Sequence, residues 1–161
     1  MSKRREGREA AVQFLFSNDL NCGADESDWS AFWQLHTASG FVRDFCVELV
    51  TGVQQRREEI DSRLESVTAN YALDRLSTVD RNILRLAIFE MFYSESVPPV
   101  VAMNEAIEIA KRFGTEDSGR FVNGILDRLK DDLNRPLREA STPTTFPSSP
   151  ASSETSPPDP S

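Results

Sequence analysis

No proline falls between residues 1 and 97, and apolar side chains in that span recur at three- and four-residue spacing with almost no period-2 alternation. A strand buries every second residue, whereas a helix buries every third or fourth. The chain is therefore predicted to be all-α. Ala11, Val12, Leu15 and Phe16, widened by Phe14, give an apolar face to a first helix over about residues 4–19. Trp29, Phe32 and Trp33 mark a short second helix, at a spacing that reads as a core face. Beyond Gly40 the stripe Phe41, Phe45, Leu49, Val53, Ile60, Leu64 and Val67 predicts one long third helix, with Gly52 marking a bend or a close helix approach. Arg56, Arg57, Glu58 and Glu59 read as a solvated face with internal ion pairs. Ser77-x-x-Asp80 resembles a capping box and opens a fourth helix running to Tyr93. That helix is apolar over most of its circumference, so it is expected at the centre. Pro98 and Pro99 precede a fifth helix over about residues 100–113, stopped by Gly114. A sixth carries Phe121, Val122, Ile125, Leu126 and Leu129. Six or seven helices are expected in all.

Composition sets the boundaries. Residues 136–161 hold 18 Pro, Ser or Thr among 26 positions, with Leu137 and Phe146 as their only sizeable apolar side chains. Such a stretch cannot offset its ordering entropy and is expected to be a disordered tail. The folded domain is expected over residues 1–135. The chain carries a formal charge of −8, and the tail contributes −2 of it. No segment approaches the ~18 apolar residues that would cross a membrane. The N-terminus lacks the apolar core and cleavage site of a secretory signal, so a cytoplasmic location is expected. Cys22 and Cys46 have no metal-ligand spacing, and His36 is the lone histidine. No metal, cofactor, Ser-His-Asp or Cys-His chemistry is therefore expected. The Gly114–Phe121 segment has the glycine spacing of a phosphate loop, but Arg120 and Phe121 replace its Lys and Ser/Thr and no strand precedes it.

Charge is not uniform. Lys3, Arg4, Arg5 and Arg8 against Glu6 give residues 1–8 a local +3 on an acidic chain. A basic start that becomes a helix fits an anionic partner, because cations gain affinity for phosphates by releasing counterions. Glu6 dilutes this charge, and Gly7 lowers the helix propensity of the first turn, so this end is expected to order on its anionic partner.

Three blocks then stand in order: Val79-Asp-Arg-x-Ile-Leu-Arg-Leu-Ala87, Asn104-Glu-Ala-x-Glu-x-Ala-Lys111 and Phe121-Val-Asn-Gly-x-Leu126. With their spacing they resemble the NusB family of transcription antitermination factors, across residues 3–130. The resemblance implies two packed helical bundles. It also implies binding to the boxA element of ribosomal RNA operon leaders as a heterodimer with NusE, a small-subunit ribosomal protein. Other Nus factors and RNA polymerase would join indirectly, and no enzymatic activity belongs to the role. By position, Lys3, Arg4, Arg5 and Arg8 would contact RNA phosphates. Phe113, Asp117 and Phe121 match a region linked to RNA or partner contact and are assigned to RNA, and Phe16 and Asp80 match the NusE-facing surface. Read from the residues alone, Phe16 and Phe121 are equally compatible with core packing, and Asp80 with capping. Asn104 and Asn123 read as buried or capping amides, and Glu105 and Glu108 as helix-face acids. The alternative reading is a protein-interaction module without RNA binding, such as a homodimer. A helical domain fronting an RNA cytosine methyltransferase would need a following α/β domain, where this chain enters Pro/Ser/Thr sequence.

Overall fold

The computed structural model describes residues 2–19, 25–68 and 76–134. Among them are seven α-helices: α1 (Lys3–Ser17), α2 (Glu26–Leu35), α3 (Gly40–Gln55), α4 (Arg57–Val67), α5 (Thr78–Phe92), α6 (Pro99–Phe113) and α7 (Ser118–Leu129). A 3-10 turn, Lys130–Asp132, follows. No strand occurs among the described residues. The expected tail, residues 136–161, and Cys22 lie outside them.

Helix α5 organises the molecule. Ile83, Leu84, Leu86, Ala87, Ile88 and Met91 are buried around its circumference, and it packs against α1, α3, α4, α6 and α7. One bundle forms where α1 and α3 lean on it, covered by the aromatics of α2. Phe14 of α1 stacks on Trp29 with centroids 3.8 Å apart, and Phe32 meets Phe14 edge-on. The second bundle joins α4, α6 and α7 to the other sides of α5. Such two-layer packing is how single helices with one apolar stripe bury it.

The helix boundaries follow local chemistry. The Ser39 hydroxyl accepts from the Val42 N–H, so Gly40 opens α3 and does not break a helix. The long third helix is two: Arg56 leaves helical geometry at φ −115°, ψ 22°, between α3 and α4. The break lets α3 face α1 while α4 turns toward α7, with Val53 and Ile60 both fully buried. Gly52 sits four residues earlier, at a close approach. A Cβ there would run into the Phe89 ring. Cys46 is fully buried, and burial pushes its thiol up to about 12, so it is an inert core residue.

Candidate nucleic-acid interface

Helix α1 begins at Lys3, with the Ser2 hydroxyl accepting from the Arg5 N–H, so the basic end forms the first turn of α1. Gly7 seats a ring: a Cβ there would lie 2.6 Å from Cδ2 of Phe45. The four cations then separate into two kinds. Lys3 and Arg4 are exposed and take part in no ion pair among the described residues, and Arg4 lies 5.4 Å over the Phe45 ring. Arg5 is held by Glu105 of α6 through two hydrogen bonds, Nε to Oε1 at 2.9 Å and Nη2 to Oε2 at 2.6 Å. Arg8 is 3% exposed and grips Glu90 of α5 in the same forked way at 2.8 and 2.9 Å. Its other guanidinium nitrogen lies 3.6 Å from Glu105. Two arginines of the basic start therefore fasten α1 to α5 and α6. Glu105 is the hub of that clasp rather than a plain surface acid, and the hydrogen bond from Arg5 lowers its carboxyl below the ordinary range despite partial burial.

The outward face of α1 carries Lys3, Glu6 and Gln13 at helical spacing, and Phe16 stands three residues beyond, half-exposed. Between this face, the α2–α3 connection and the end of α6 lies a cavity of about 270 Å³. Glu9, Gln13, Trp33, His36, Arg112 and Phe113 line it, together with Glu6. Lys3 and Phe16 thus sit on the helix that floors this hollow, and Phe113 closes one side.

The other sequence-predicted positions stand apart from it. Phe121 on α7 is half-buried against the core. Asp117 is exposed before α7 and accepts a hydrogen bond from Arg120 at 2.7 Å. Asp80 is buried at the start of α5, where its N–H donates to Ser77 Oγ, and its Oδ1 has no hydrogen-bond partner. Phe41, expected in the core stripe, is 47% exposed and stacks on Phe45. Asn104 and Asn123 are exposed rather than buried or capping amides. Sequence reasoning missed Glu90, Glu105 and Glu9 as partners of the arginines. It also missed Asp19, which accepts hydrogen bonds from Arg81, Asn82 and Arg85, and Asp61, which takes both remaining donors of Arg85. A signal existed in α5: Arg85 and Glu90 occupy an otherwise apolar helix, where charges must be paired. Among the described residues no group of His, Cys, Asp or Glu could hold a metal ion, and no helix is long and apolar enough to cross a membrane.

An all-helical body clasped by buried arginines, with an exposed basic corner beside a polar hollow, is the frame of a binding protein. Residues 5–131 match the model of the NusB family. The transcription antitermination protein NusB of Myxococcus xanthus is 45% identical over 140 residues, which cover 84% of this chain and all of that protein. The solved structure of T. maritima NusB has a TM-score of 0.72 at 34% identity, covering 84% of this chain and 95% of its own. A crystal structure of the antitermination factors NusB and NusE in complex with double-stranded RNA is similar at a TM-score of 0.71 and 26% identity, over 82% of this chain and 98% of that one. The chain belongs to the NusB family.

Proposed function

We propose that this chain is a transcription antitermination factor that binds boxA RNA together with NusE and helps assemble an antitermination complex on RNA polymerase. The observation that carries the RNA part is the separation of the basic start. Lys3 and Arg4 are exposed with no acidic partner among the described residues, while Arg5 and Arg8 are bound to Glu105 and Glu90. Exposed cations at the end of a helix attract phosphates with only their side chains left to order. Lys3 and Arg4 are the primary phosphate contacts in this reading. Arg5 joins by sharing its guanidinium between Glu105 and RNA, and Arg8 acts from inside by holding α1 in place. Phe113, Asp117 and Phe121 are assigned to the RNA side, and Phe16 and Asp80 to the NusE side. The half-exposed Phe16 is the stronger of these two, because Asp80 is buried. Both surfaces belong to residues 1–135, and the role involves no bond-making step. Two proteins sharing one RNA raise each other's effective concentration, so modest contacts suffice. The same geometry fits a cytoplasmic protein acting on nascent transcripts.

The test is binding of labelled boxA RNA and a scrambled control, with and without NusE. Preferential binding of boxA, strengthened by NusE, is expected. Equal or absent binding of both RNAs under all conditions contradicts the reading and leaves the interaction module or homodimer, which mass in solution would then reveal.

A further inference from the structure

The hollow on α1 contains a group that phosphate attraction does not explain. The Glu9 side chain is only 10% exposed. Its carboxylate accepts no hydrogen bond among the described residues, and the nearest cation, Arg112, lies 3.6 Å away and is itself 55% exposed. Burial raises the Glu9 carboxyl above the ordinary range against the pull of Arg112 and Arg5. A carboxylate buried to this degree and held by a single exposed cation keeps acceptor capacity for a ligand that brings N–H groups. Trp33, His36 and Phe113 bring aromatic rings to the walls, and Gln13 an amide. A volume of about 270 Å³ lies just below the roughly 300–1,000 Å³ of drug-sized sites, which fits one planar heterocycle. Glu6 and Glu9 outweigh Arg112, so the hollow repels a phosphate and welcomes a donor edge.

Resting on the RNA reading above, we propose that this hollow is a base-reading pocket for a guanine of single-stranded RNA. Single-stranded bases are read by stacking on aromatic side chains and by hydrogen bonds to their Watson–Crick edges. Guanine presents two adjacent donors there, N1–H and the N2 amino group, which match the two oxygens of one carboxylate. Adenine and cytosine place a single amino group beside an acceptor nitrogen, and uracil sets one N–H between two carbonyls. Glu9 accepts from N1–H and N2–H, and the ring lies against Trp33 and Phe113. Lys3 is six residues before Glu9, about 9 Å along the helix at 1.5 Å per residue, where it meets the phosphate of a neighbouring nucleotide. The basic corner supplies affinity and the acidic hollow supplies choice, a division phosphate contacts alone cannot provide.

The test uses two labelled decamers of uridine, one with a central guanine and one with inosine, which keeps N1–H but lacks the N2 amino group. Binding to the full chain with NusE is followed by anisotropy and by Trp33 emission. The parent chain is expected to bind the inosine oligomer at least about fivefold more weakly, the low end for a bidentate base contact. Glu9→Gln, checked for helix content, is expected to bring the guanine oligomer down to the inosine level. Equal affinity of the parent chain for both oligomers overturns the proposal, as does a guanine preference that survives in E9Q. So does failure to bind either oligomer by a chain that binds boxA RNA. Failure to bind boxA RNA itself, with or without NusE, overturns the RNA reading instead. The inosine comparison alters only the RNA, so it stands whether or not the variant folds.

Discussion

Just past the end of α1, Asp19 is surrounded by Arg81, Arg85 and Asn82, and Arg85 continues to Asp61 of α4. Every group in that cluster has a protein partner, and its arginines are nearly buried. At the opposite end of the same helix the balance reverses: Lys3, Arg4, Arg5 and Arg8 meet Glu105 and Glu90, and among the described residues two cations are left over. The first cluster is closed and can only hold helices together. The second is open and has charge to spare for something outside the chain. Residue type does not separate the two, since both are built from arginines and carboxylates. What separates them is whether the neighbouring helices supply enough acid at that level.

The largest effect should come from the closed half of the basic end. Arg8→Ala leaves the Glu90 carboxylate, 1% exposed, without its fork, and should cost about 3–5 kcal/mol in urea unfolding. A loss under about 1 kcal/mol would place Arg8 with the surface cations after all. Next is the α3–α5 contact. Gly52→Ala drives a Cβ into the Phe89 ring and should cost about 1–3 kcal/mol, with repacking visible in aromatic circular dichroism.

The pH response sharpens the comparison further. Burial opposes ionisation of Asp19, but hydrogen bonds from Asn82 and Arg81 and the charges of Arg81 and Arg85 overcome it and hold its carboxyl below the ordinary range. A group depressed in the folded state contributes stability above its unfolded value and loses it as pH falls through the folded one. Urea midpoints should therefore drop as pH is lowered below about 5, and Asp19→Asn, weaker at neutral pH, should converge with the parent at the acid end. Glu9 runs the other way, because burial raises its carboxyl. Its contribution is fully present below the unfolded value and is lost as pH rises through the folded value. E9Q should gain on the parent across that window, and parallel curves would remove the burial argument. The smallest effect is expected at the open end: Lys3→Ala with Arg4→Ala should shift stability by no more than about 0.5 kcal/mol, because neither side chain holds the fold.

Much of this architecture was legible in the chain, because apolar periodicity is a local property. The central position of α5 followed from its all-round apolar pattern, and its start from Ser77. The exposure of Phe41 was not legible, since it shares a stripe with Phe45 and only the packing of α3 on Gly7 shows where the stripe leaves the core. The division of the arginines was hidden for the same reason. Arg5 and Arg8 lie 100 and 82 residues from the carboxylates that bind them, and no local pattern reports a pairing at that separation. Gly7 read only as a helix weakness, and the close approach of Phe45 to it was not legible from local pattern.

The central claim is that the leftover cations, and not the paired ones, hold the transcript. Its most direct test is the affinity of boxA RNA for the chain with NusE, across a range of salt, for the parent and for the Lys3→Ala, Arg4→Ala double variant. The account predicts weaker binding and a slope of log affinity against log salt shallower by about 0.7 for each lost phosphate contact, with unfolding unchanged. An identical slope and affinity in the double variant would contradict it.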